Sequence, residues 1–71
     1  MIKDYTIWLE NSECIIGQAE RENILELMKM HNKKCKNVIT FSDEKGILSI
    51  NMKKVIAISM ERVTENGKAG F

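Results

Sequence analysis

One change of hydrophobic period constrains this chain more than any other feature of it. From about Ala19 to Lys36 the apolar positions follow helical spacing, with Ile24, Met28, His31 and Cys35 at i, i+4, i+7 and i+11 and Leu25 and Leu27 flanking them. On both sides of that segment the period falls to two. Tyr5, Ile7 and Leu9 alternate with Thr6, Trp8 and Glu10, and Ile56, Ile58 and Met60 alternate with Val55, Ala57 and Ser59. The pattern predicts one amphipathic helix among strands, and one helix covers one face of a sheet.

The strands are punctuated by turn signals. Tyr5 to Leu9 reads as a strand, Glu10-Asn11-Ser12-Glu13 as a polar turn, and Cys14-Ile15-Ile16 as the returning arm of a hairpin, ended by Gly17. After the helix, Val38 to Phe41 is the clearest β signal. Asp43-Glu44-Lys45-Gly46 supplies a short turn with glycine where a positive φ is needed, and Ile47 to Ile50 is the partner strand. Asn51 to Lys54 interrupts before a last strand over Val55 to Met60. The order is ββαβββ, and its short connections favour antiparallel pairing. The expected fold is a small α+β domain over residues 1–64. In it a strongly bent five-stranded antiparallel sheet, or a partial barrel, packs on one helix. The polar, Gly-bearing stretch 65–71 is expected to fray.

Glu20, Glu22 and Glu26 fall in the first turns of the expected helix and Lys29, Lys33, Lys34 and Lys36 near its end, an arrangement that offsets the macrodipole at both termini. Asn37 is the expected left-handed cap. These opposed clusters also explain the charge. Lys+Arg 11 against Asp+Glu 10 leaves a net +1, which removes the global argument for a nucleic-acid or membrane surface and leaves one local cationic patch.

Length sharpens the problem. At roughly 1.5 kcal/mol of ordering cost per residue and about 25 cal/mol/Å² of burial, a chain this short must remove about 4,000 Å² of apolar surface from water, close to what it can supply. Both faces of Val55 to Met60 are apolar, one face is left over by the single helix, and exposed strand edges invite pairing. Self-association, or a protein partner, relieves both difficulties. If the helix covers the face of Tyr5, Ile7 and Leu9, Trp8 and Thr6 are the expected contact residues on the uncovered face; if the faces are reversed, Trp8 is core.

Little in the chain points to catalysis. Metal binding needs three or four converging ligands, and only His31 and Cys35 are closely spaced, with Cys14 a possible third. Both cysteines lie in apolar patterns, where Cys commonly behaves as a small hydrophobe. A thiol nucleophile would need the single His31 beside it and an orienting group. Gly17, Gly46, Gly67 and Gly70 are isolated, so there is no phosphate-cradling glycine motif, and no cofactor is expected. The apolar runs are too short for a membrane span and no secretory segment is evident, so a cytoplasmic protein with reduced thiols is expected. Nucleic-acid binding through Lys29, Lys33, Lys34 and Lys36 is the alternative function to a non-catalytic association module.

Two resemblances follow from particular residues. Thr40-Phe41-Ser42-Asp43 through Gly46, continued by Ile50-Asn51-Met52-Lys53-Lys54-Val55-Ile56-Ala57-Ile58, resembles a hairpin pattern of small uncharacterised proteins of Gram-positive bacteria and their phages. That resemblance implies a compact β-rich fold with a helix and carries no chemistry over. Ile7-Trp8-Leu9-Glu10-Asn11 followed by Ile15-Ile16-Gly17 is similar to the strand and turn of bacterial Sm-like RNA-binding rings. Sm-like chains place their helix before the sheet, whereas this one inserts Glu20 to Lys36 between the second and third strands. Its first turn carries Asn11-Ser12 where Asn-Gly or Asp-Gly is usual.

Overall fold

The computed structural model describes residues 1–61, so the expectations for the domain end at 64 and for the stretch 65–71 lie outside the described residues. Strands β1 (Ile2–Leu9) and β2 (Cys14–Glu20) form a hairpin. Helix α1 (Arg21–Asn32) follows, then a second hairpin of β3 (Val38–Asp43) and β4 (Gly46–Asn51), a 3-10 turn at Met52–Lys54, and β5 (Val55–Met60). This is the expected ββαβββ order in a small α+β fold. The strands, however, divide into two antiparallel sheets, β2-β1-β5 and β3-β4, in place of one five-stranded sheet. Among the described residues one main-chain hydrogen bond links β2 to the second hairpin, from the Glu44 amide to the Gln18 carbonyl at 2.8 Å.

The inner faces of both sheets and the helix share one core. Tyr5 and Ile7 of β1, Ala19 of β2, Ile24 and Leu27 of α1, and Phe41 and Ile50 of the second hairpin are all buried, with the Tyr5 and Phe41 rings edge to face at 5.1 Å. Leu27, expected as a flank of the helical stripe, lies at its centre, while Met28 and His31 are half-buried.

Three boundaries differ from the sequence reading, each for a local reason. Strand β2 runs through Gly17 to Glu20 because Gly17 sits opposite Tyr5 in the register and leaves room for that ring. A Cβ at Gly17 would lie 2.9 Å from the Tyr5 hydroxyl oxygen. The helix is shorter than 19–36: Ala19 and Glu20 belong to β2, and the last turn closes in a Schellman motif. There Lys34 takes the left-handed position at φ 62, its amide bonds the His31 carbonyl at 2.9 Å, and the Cys35 amide bonds the Met30 carbonyl at 3.1 Å. Lys34, not Asn37, is therefore the left-handed cap, and Cys35 lies beyond the helix.

The third difference is a β-bulge. Ala57 pairs with Trp8 and Val55 with Leu9, which leaves Ile56 as the extra residue on β5. Strict alternation would group Ile56 with Ile58 and Met60. The bulge instead brings Val55 to the inner face, where it is buried, and leaves Ile56 59% exposed. The glycine expected for a positive φ has one, Gly46 at φ 147, and the turn before it is held by Asp43 Oδ1, which accepts from the Lys45 and Gly46 amides at 2.9 and 3.1 Å.

Candidate functional site

Two surfaces gather the residues singled out in the sequence. The first is the outer face of the β2-β1-β5 sheet. Because cross-strand partners project to the same face, the register places Trp8 between Cys14 and Ala57, and Thr6 between Ile16 and Ser59. These two rows carry no charge. Trp8 is 42% exposed, Ile16 73% exposed and Thr6 half-buried. The next row outward is polar: Asp4 pairs with Gln18, whose side-chain amide donates to Asp4 Oδ1 at 2.8 Å. An uncharged centre bounded by a polar row has the anatomy of a contact patch.

The hairpin turn that closes this face has a conformation unusual for its residues. Asn11 and Ser12 both have positive φ, 72 and 66, as hairpin turns of the primed type require, and the Leu9 amide bonds the Glu13 carbonyl at 2.8 Å. Asn tolerates that region; Ser does so at some cost.

The second surface is a cavity of about 430 Å³ between the C-terminal end of α1 and the 3-10 turn at Met52–Lys54. Buried Met52 and Val55 and half-buried Cys35 line its interior, and Lys34, Lys36 and Lys53 also line it. The His31 ring is tied to this wall by a 3.3 Å contact of Nε2 with the Val55 carbonyl. Of the lysines read from the sequence as a cationic patch, Lys34 and Lys36 reach the cavity, whereas exposed Lys29 and Lys33 do not line it. Lys53 joins them from a distant part of the chain, and its only sequence signal is the polar interruption before β5.

His31 and Cys35 line the same cavity, but the helix ends between them, so they do not form an i, i+4 ligand pair on one face. Cys14 is exposed on the outer sheet face beside Trp8. Among the described residues no three His, Cys, Asp or Glu side chains converge as a metal site would require. No described helix is long and apolar enough to cross a membrane.

One titratable pair stands apart from both surfaces. Burial, the hydrogen bond to Asp43 and the charge of that carboxylate together push the Tyr5 phenol well above its ordinary range. The same bond, 2.6 Å from Tyr5 Oη to Asp43 Oδ2, with the Lys45 and Gly46 amides, holds the Asp43 carboxyl below its usual range. The pair links β1 to the second hairpin and is a structural clasp. Comparison with protein-family models, with curated proteins and with solved structures finds no match.

Proposed function

We propose that this protein is a non-catalytic association module in which a second copy covers the outer face of the β2-β1-β5 sheet. The observation that carries the reading is Trp8, a large aromatic 42% exposed at the centre of two uncharged cross-strand rows. A second copy suits the patch better than a charged partner does. A two-fold contact sets the same patch on both copies, and an uncharged patch meets itself without like-charge repulsion. A net charge of +1 adds almost no long-range repulsion between copies. The short chain also gains apolar burial that it cannot obtain alone.

Light scattering across a concentration series tests this directly. The native protein is expected to exceed the monomer mass at micromolar concentration, and Trp8→Glu to return it to a monomer with an unchanged circular dichroism spectrum. A native protein that remains monomeric at the highest soluble concentration overturns the proposal.

A further inference from the structure

We propose that the cavity between the end of α1 and the 3-10 turn at Met52–Lys54 binds the phosphate group of a small phosphate ester, using Lys34, Lys36 and Lys53. This rests on different residues from the association face and stands independently of it. The cavity volume, about 430 Å³, is in the range of small-molecule sites. Its charge is one-sided. Three ammonium-bearing side chains line it and no carboxylate does, in a molecule whose charges otherwise nearly cancel. Among the described residues none of the three lysines has a carboxylate within ion-pair distance, whereas adjacent Lys54 is 3.7 Å from Glu10.

The backbone positions these lysines from three separate settings. Lys34 is the left-handed cap of the helix, Lys36 lies in the link to β3, and Lys53 is in the 3-10 turn. Asn51 Oδ1 accepts from the Lys53 amide at 3.1 Å, and the Met52 amide bonds the Asn37 carbonyl at 3.1 Å, tying the turn to the link. The helix end would ordinarily repel an anion through its free carbonyls. Here the Met30 and His31 carbonyls accept from the Cys35 and Lys34 amides, which blunts that negative end.

Two further features favour a phosphate ester. Glycine would occupy the position of Lys34 at lower backbone cost, so the left-handed backbone strain falls on a lysine that lines the cavity. Met52 and Val55 form an apolar floor that suits the organic part of an ester, while three ammonium groups suit a phosphate charge of about −2.

The test is an amide chemical-shift titration at low salt with inorganic phosphate, adenosine 5′-monophosphate and adenosine, repeated on Lys53→Gln, Lys29→Gln and Lys34→Gly. Saturable shifts at Lys34, Lys36 and Lys53 are expected with phosphate and the monophosphate, and none with adenosine. Loss of one charge-assisted hydrogen bond in Lys53→Gln is expected to weaken the monophosphate by about tenfold. Lys29→Gln, away from the cavity, is expected to leave affinity unchanged. Lys34→Gly separates binding from folding, because it should weaken the ligand while raising Tm. The proposal is overturned if neither phosphate nor the monophosphate shifts these amides, if adenosine binds as well as its monophosphate, or if Lys29→Gln weakens binding as much as Lys53→Gln does. A thymidine oligonucleotide that binds where both small phosphates fail would overturn it in favour of an extended nucleic-acid surface.

Discussion

The contacts around Tyr5 show how much of this fold depends on single atoms. The phenol occupies space that any side chain at residue 17 would take, since a Cβ there would meet Tyr5 Oη at 2.9 Å and Asp43 Oδ2 at 3.1 Å. Gly17→Ala is therefore expected to displace the clasp and cost about 1–3 kcal/mol in urea unfolding. Tyr5→Phe keeps the ring edge to face with Phe41 and removes only the hydrogen bond, at about 1–2 kcal/mol. The same pair sets a pH window. Asp43 has a depressed pKa in the folded state, so its contribution is present above the ordinary carboxylate range and lost as pH falls through the depressed value. Tyr5 has a raised pKa, so its contribution is complete below the ordinary phenol value near 10 and is lost as pH rises beyond it. Stability measured against pH should fall at both extremes, and Tyr5→Phe should flatten both limbs. A Tyr5→Phe profile parallel to the native one would refute the linkage. At the left-handed cap, Lys34→Gly should stabilise the fold by up to about 1 kcal/mol, since the αL strain of a side chain is removed.

The elements were legible wherever a single period ran uninterrupted. Alternation located β1 and β5, β-forming runs on either side of a turn located β3 and β4, and the helical stripe located α1; of the two faces that alternation defines on β1, which one is covered was open in the sequence, and the structure buries Tyr5 and Ile7 and exposes Trp8. What escaped was decided by contacts between distant segments. The bulge on β5 depends on its register against β1, which no local pattern contains, and it exchanges Val55 for Ile56 on the inner face. The division into two sheets follows from how few main-chain bonds join β2 to the second hairpin. The helix stop was obscured because a lysine stands where glycine usually marks the end. The cavity was visible only in part: Lys34 and Lys36 stand in a charge run, while Lys53 is brought to them only by the fold. The bulge makes a discriminating prediction. Ile56→Ala should change unfolding free energy by less than about 0.5 kcal/mol and Ile58→Ala should cost about 2 kcal/mol or more, whereas strict alternation requires equal effects.

At the scale of the whole molecule, the near-zero net charge conceals two surfaces governed by different forces. The centre of the outer sheet face is uncharged and partly apolar, so the association proposed there would be driven by removal of Trp8 and Ile16 from water. Sodium chloride at moderate concentration should leave it nearly unchanged, and sulfate, which strengthens apolar burial, should promote it. The lysine-lined cavity is governed by Coulombic attraction, which added salt screens. Oligomer mass and phosphate affinity should therefore separate along one salt series: between low and physiological ionic strength the mass is held while the affinity falls. Because the two surfaces use different side chains, Trp8→Glu should abolish the first response and leave the second intact, and Lys53→Gln should do the reverse. If one variant removed both responses, ligand and second copy would share a single surface, and the separation of the Trp8 face from the cavity could not stand.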